Sequence, residues 1–382
     1  MFKSSRRRMA EEAQQRAELV AQHEVNRVYG ELVALFRDLP NSAGSRVVAG
    51  IGPKGGSGKT TALVAAAYVL SQVVTGDLIL VDVNPDKSNV RERLLRAGQR
   101  GTLLELIEAL GTLYYPTQLA RFQVPINRVK LIHKDGLRSI AVQRIPAAKW
   151  YELLETLSWF GQLVLADGGL SLVSPAAEGS LSRADHVVLA VEADPVVIQK
   201  TLEAVNEVMA GDPTVQSLTL GATVVVAYTN PTAELDPLLE ESIEYLRRTF
   251  AGVFVVPYDA AAAVSGLVPF DRLAVATQDA YLRVALHVAQ CFHRPPRATQ
   301  AHGSLTDEAG ATALPDVFPG NGGQRAVEVA PAGPGAREAM VQEIGAPAGS
   351  RDVPVLTGLA PAGSGRGADV GATGPVVEVP IR

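Results

Sequence analysis

The chain is short of several things, and each shortage removes a class of protein. Its 382 residues contain 1 cysteine, Cys291, so no disulfide, thiolate zinc site or iron–sulfur cage can be assembled within it, and a reducing, cytoplasmic setting is expected. An excess of positive charge is missing too: 35 basic and 40 acidic side chains leave a net charge of −5. No global field recruits nucleic acid, and any such contact needs a local patch. No apolar run spans a bilayer. The best, Ala62 to Val74, is interrupted by Ser71 and Gln72, falls short of the roughly 20 residues required, and reads as a buried helix, so no integral membrane segment is expected. An export signal is not expected either, because Ala10 to Asn26 is rich in Glu, Gln and Arg where an apolar core should follow the basic start. The histidines show no i,i+4 pair with an acidic partner at ligand spacing, which argues against a histidine metal site. No G-x-S-x-G elbow supports a serine hydrolase. Aromatics are 5% of the chain. Trp150 and Trp159 fall on one expected helix about 180° out of phase, which suits packing or an interface.

What is present divides into three parts. Residues 1–44 hold a basic cluster, Lys3 to Arg8, and then, over Ala10 to Asp38, Leu19, Val20, Val25, Val28, Leu32, Val33 and Phe36 at helical spacing, one long arm helix that should end near Leu39-Pro40. The cluster suits an anionic surface, DNA or lipid, or is a solvated stretch. Residues 294–382 are Pro, Gly and Ala with scattered charge and no hydrophobic period, and are expected to be a disordered tail.

Residues 45–293 alternate short apolar runs with amphipathic stretches. Strands are expected at Arg46–Ile51, Leu78–Val83, Gln162–Ala166, His186–Val191, Ala222–Ala227 and Val253–Val256. Helices are expected at Thr60–Ser71, Ser88–Leu95, Trp150–Ser158, Val196–Val208, Leu235–Phe250 and Gln278–Phe292. This order predicts an α/β fold with a doubly wound, mostly parallel sheet covered on both faces. Val129–His133 and Arg138–Val142, flanking Lys134-Asp135-Gly136, read as a hairpin or an added edge pair.

The strongest chemical signal is Gly52-Pro53-Lys54-Gly55-Gly56-Ser57-Gly58-Lys59-Thr60-Thr61, after a strand and before a helix. Gly55, Gly56 and Gly58 let the backbone turn its N–H groups inward, making an anion nest with Ser57 that continues into the helix N-terminus. Lys59 supplies a point charge to the β/γ oxygens of a di- or triphosphate, Thr60 a hydroxyl for Mg²⁺, and Thr61 reaches the α-phosphate side. Pro53 stands where the general P-loop pattern has its first glycine, and Lys54 follows it.

Lys54-Gly55-Gly56-Ser57-Gly58-Lys59-Thr60-Thr61 resembles the deviant Walker A box of the ParA/MinD family, ATPases that position plasmids, chromosomes, division inhibitors and other cargo. The resemblance covers roughly residues 46–292 and implies a P-loop NTPase fold of the SIMIBI type, with ATP and Mg²⁺ as cofactors. It implies that Lys54 reaches across an ATP-sandwiched homodimer to the partner's phosphates, and that an activating partner protein stimulates slow hydrolysis. Val81-Asp82-Val83-Asn84-Pro85-Asp86 is similar to the family's switch I. Asp82 matches its first aspartate, near Mg²⁺. Asn84 stands where a second aspartate usually orients the attacking water; Asn holds a water but cannot take its proton, so turnover is slow or Asp86 contributes. Leu163-Val164-Leu165-Ala166-Asp167-Gly168 has the form of a Walker B strand, with Asp167 in the Mg²⁺ shell and Gly168 able to offer its N–H to the γ-phosphate. Asn230 resembles the family's adenine-contacting asparagine, although Asn-Pro is also an ordinary turn signal, and Pro257 resembles the segment that lines the base. The runs at 81–86, 181–186 and 280–285 resemble actinobacterial MinD/ParA-like ATPases, including those encoded beside type VII secretion genes. Two roles remain open, a switch that positions DNA or a secretion or division complex, and a scaffold that binds ATP with little turnover.

Overall fold

The computed structural model describes residues 2–39, 44–52, 55–84, 90, 102–134, 139–168, 174–209, 212–231, 237–263 and 270–295, with side chains from residue 15 onward except at 139 and 140. Among the described residues, eight strands form one sheet: β1 (Arg46–Ile51), β2 (Leu78–Asp82), β3 (Val124–Ile126), β4 (Val129–Ile132), β5 (Leu163–Asp167), β6 (His186–Glu192), β7 (Thr223–Ala227) and β8 (Gly252–Val256). Their order is β3-β4-β2-β5-β1-β6-β7-β8, parallel throughout except for the antiparallel β3/β4 pair at one edge. The expected doubly wound α/β sheet is present.

The helices are α1 (Phe2–Arg37), α2 (Lys59–Ser71), α3 (Leu103–Ala109), α4 (Pro116–Ala120), α5 (Ser139–Gln143), α6 (Ala147–Phe160), α7 (Pro175–Arg183), α8 (Pro195–Met209), α9 (Pro213–Leu220), α10 (Pro237–Thr249), α11 (Ala260–Ala263) and α12 (Val275–Ala289). One sheet face carries a core of Val47, Ile79, Val81, Val164 and Ala166 under Trp150, Leu153, Leu154 and Leu157 of α6. It continues through Val187, Leu189, Val224 and Val226 under Leu181, Ile198, Val205 and Leu239. Trp150 is fully buried and Trp159 is 58% exposed, as their opposite phase requires. On the other face α2 lies directly over β1, where a Cβ at Gly50 would sit 2.2 Å from Leu63 Cδ1. The α2 helix is almost wholly buried, which is the physical meaning of the apolar run at 62–74. Helix α12 packs beside it and α1 packs on α12, burying Val25, Val28, Leu32 and Phe36.

Two local expectations are corrected. The hairpin near residue 130 does not run forward into 138–142. Strand β4 instead turns back onto β3 with Ile126 opposite Val129, through Asn127 at φ 51°, a left-handed position that asparagine tolerates. The segment expected as its second strand is α5. The arm helix also begins earlier than Ala10, at Phe2. The proposed helix at Ser88–Leu95 and most of the proposed tail lie outside the described residues.

Candidate functional site

Open parallel sheets bind ligands beyond the carboxyl ends of their strands, and Ser57, Lys59, Thr60, Asp82, Asn84 and Asp167 lie there. Strand β1 runs into the glycine loop, in which Gly56 and Gly58 have φ of 86° and 79°, a region glycine enters without the strain of a side chain. A Cβ at Gly58 would also lie 2.9 Å from the Ala227 Cβ at the end of β7. Helix α2 begins at Lys59 with no side-chain cap and no acidic residue in its first turn. Its leading N–H groups therefore suit an external anion. The Ser57 hydroxyl, on a residue 1% exposed, has no hydrogen-bond partner. An unsatisfied buried hydroxyl is costly, and this one sits inside the loop expected to hold phosphate.

Beneath the loop, Lys59 Nζ pairs with Asp167 Oδ1 and donates to the Gly168 carbonyl. Thr60 Oγ1 donates to the other carboxylate oxygen, Asp167 Oδ2, at 2.8 Å. Asp167 is fully buried and Lys59 nearly so. In the sheet register Asp167 lies beside Gly50 of β1 and beside Asp82 of β2, so the two carboxylates end adjacent strands at one level. Asp82 Oδ1 accepts from the Asn84 N–H at 3.3 Å, and both residues are buried. Two carboxylates and a hydroxyl are hard oxygen donors of the kind Mg²⁺ takes together with phosphate oxygens. The residues present therefore fit a Mg–nucleotide.

Other expected positions are less gathered. Asn230 follows β7 and is exposed, and Pro257 follows β8. Their strand ends are joined by the Tyr228 N–H to Val256 O at 2.9 Å, and Thr229 Oγ1 donates to Glu192 Oε1 at 2.7 Å. Thr61 lies in the first turn of α2, partly exposed. Lys54 and Asp86 lie outside the described residues. The Gly168 N–H is not turned toward a ligand: it donates to Gly50 O at 2.8 Å, and a Cβ there would come within 2.6 Å of that carbonyl. Gly168 thus closes β5 onto β1. Sequence reasoning missed Lys134, which is buried at the end of β4 and donates to the Asn84 carbonyl. A lysine two residues past the strand-like run 129–132 was the available signal, obscured when it was read as a turn.

A second polar cluster lies at the opposite edge, where β6 and β7 begin. His186 Nε2 meets Thr223 Oγ1 at 2.7 Å, and the same hydroxyl meets His287 Nδ1 at 2.7 Å. Burial, helped by His287 and Arg294, lowers the His186 pKa to about 3. These two histidines are packed together through the Thr223 hydroxyl.

The architecture and the loop define a class first: this is the P-loop ATPase fold of ParA and MinD proteins. A ParA family ATPase from Chlorobium tepidum superposes with a TM-score of 0.52 at 17% identity, covering 65% of this chain and 100% of that one. The cell division ATPase MinD of Pyrococcus furiosus gives a TM-score of 0.50 at 16% identity, covering 64% and 99%. No family model matches the sequence. Among curated proteins, ESX-1 secretion-associated protein EspI of Mycobacterium tuberculosis is 26% identical over 260 residues, 67% of this chain. The chain spans 38% of that relative's length. Among the described residues no helix is long and apolar enough to cross a membrane.

Proposed function

We propose that the chain is an ATP-dependent dimerising switch that positions or partitions a cargo. The observation that carries the reading is the meeting of Lys59, Thr60 and Asp167 under a glycine loop with an uncapped helix behind it. In this reading Gly55, Gly56, Ser57, Gly58, Lys59, Thr60 and Thr61 hold the phosphates, while Asn230 and Pro257 border the base. Thr60, Asp82 and Asp167 take the Mg²⁺ shell. Mg²⁺ held by these residues would supply positive charge that offsets the charge of the phosphates. Lys59 must leave Asp167 for the β/γ oxygens as ATP enters, exchanging one anionic partner for another at little net cost in a dry site. Asp82 and Asn84 sense the γ-phosphate, and Lys54 brings a cation to the second subunit's nucleotide, as an arginine finger does. An activating partner protein sets the turnover. Likeness to a secretion-associated protein favours a secretion complex as cargo, with duplex DNA the other candidate.

Asn84 favours a second reading, a scaffold that holds ATP with little turnover, because the amide cannot accept a proton. Titration with a fluorescent ATP analogue, followed by phosphate release with and without duplex DNA, separates the readings. Binding with slow release supports the switch, and stimulation by DNA names the cargo class. Binding with no release under any condition supports the scaffold, and no binding contradicts both.

A further inference from the structure

Lys134 is a buried lysine with no part in the expected nucleotide site, which makes its position informative. An ammonium leaves water only at a cost of several kcal/mol unless it is well paired. At the end of β4, next to the switch strand β2, its Nζ donates to the main-chain carbonyl of Asn84. The register Leu80 to Leu131 and Val81 to Ile132 brings His133 level with Asp82, in the same row across the sheet as Asp167 and Gly50. His133 Nδ1 bonds the Lys134 carbonyl at 3.1 Å. A carbonyl only accepts, so Nδ1 carries the proton and braces the lysine's backbone. The Nε2 of His133, on a residue 5% exposed, has no partner, an open acceptor at the level of the Asp82 carboxylate.

Two main-chain hydrogen bonds also reach the stretch these residues support. The Val83 N–H donates to Asp167 O at 3.2 Å, and the Asn84 N–H reaches Asp82 Oδ1 at 3.3 Å. Both bonds are long, whereas a charge-assisted bond to the Asn84 carbonyl is of the stronger kind. We propose that Lys134 is a positioning residue for hydrolysis: through the Asn84 carbonyl it fixes the Val83-Asn84 turn, and so aims the Asn84 amide that stands where the family has a water-orienting aspartate. The inference rests on the nucleotide reading above for its consequence, and on the contact alone for its structural part.

The test uses the full chain with Lys134→Met, which keeps the stem and removes the charge, and Lys134→Arg, which restores a donor. Amide hydrogen exchange of the nucleotide-free protein is followed at Val83 and Asn84, together with thermal melting, ATP-analogue affinity and single-turnover hydrolysis. Lys134→Met should speed exchange at those two amides about tenfold while the remaining sheet amides and the melting temperature stay close to wild type. It should lower the hydrolysis rate about tenfold with affinity changed less than about twofold, and Lys134→Arg should recover most of both effects. Unchanged exchange, faster exchange across the whole sheet, or affinity and rate falling together would overturn the proposal. If the wild-type chain binds no ATP, the nucleotide reading fails, and the exchange result still decides whether Lys134 holds the turn.

Discussion

Lys59 and Asp167 form a buried ion pair beneath the phosphate loop, and the same carboxylate takes the Thr60 hydroxyl at 2.8 Å. In the proposed reading, the cation that would meet phosphate is thus stored on the carboxylate that would hold the metal. Removing one partner of such a pair leaves an uncompensated buried charge, at a cost of about 3–5 kcal/mol. Lys59→Ala should therefore do two things. It should abolish binding of an ATP analogue in titration, and it should lower the stability of the nucleotide-free chain by about 3 kcal/mol in urea denaturation. Loss of binding without loss of stability would mean that Asp167 is held mainly by Thr60.

A mutant at Asn84 tests the chemistry separately. Asn84→Asp puts a proton acceptor at the position where the amide has none, and general bases contribute about 10²-fold or more to hydrolytic steps. Phosphate release should rise at least about tenfold with ATP affinity nearly unchanged. A rate equal to wild type would place the proton acceptor elsewhere and remove Asn84 as a determinant of the rate.

The buried His186 makes stability depend on pH. Its folded pKa is depressed to about 3, by burial first and then by His287 and Arg294, whereas an unfolded histidine titrates near 6.5. Below pH 6.5 the unfolded chain takes up a proton that the folded chain does not, so stability is full above about pH 6.5 and falls as pH drops toward 3. His287, also depressed by burial, adds in the same direction. Urea denaturation at pH 7.5 and 5.0 should show that wild type loses about 2 kcal/mol more than His186→Gln over that interval, at about 1.4 kcal/mol per pH unit. Equal losses would show that the imidazole is solvated in the folded state.

Gly179 tests the packing that carries the sheet's covered face. A Cβ there would fall 2.2 Å from the Ala147 carbonyl oxygen and 2.7 Å from Trp150 Cβ, backbone and core atoms that have little room to move. Gly179→Ala should cost about 1–3 kcal/mol by forcing α7 away from α6, measurable as a lowered melting temperature. A stabilised variant, as expected for alanine in an unobstructed helix, would show that the two helices yield.

How much of this was legible in the sequence depends on where each signal lives. Strands buried on both faces read directly as apolar runs, and β1, β6 and β7 matched to within a residue. The glycine loop was legible because its chemistry is local, from Gly55 to Thr61. The β3/β4 hairpin was not: Asn127-Arg128 is a weak turn signal, Lys134-Asp135-Gly136 a stronger one, and propensity chose the wrong pairing. Short helices such as α4 and α9, with too few turns to show a period, also went unseen. Lys134 was hidden for a different reason. Its meaning comes from Asn84, 50 residues away, and only strand order makes them neighbours.

The most direct test of the dimerising switch is molecular mass in solution, by light scattering with ATP, with ADP and with neither, for wild type and Lys54→Ala. A dimer with ATP alone, lost in Lys54→Ala while ATP-analogue binding persists, is the predicted result. A wild-type chain that stays monomeric with bound ATP, or a Lys54→Ala chain that dimerises normally, would contradict the switch.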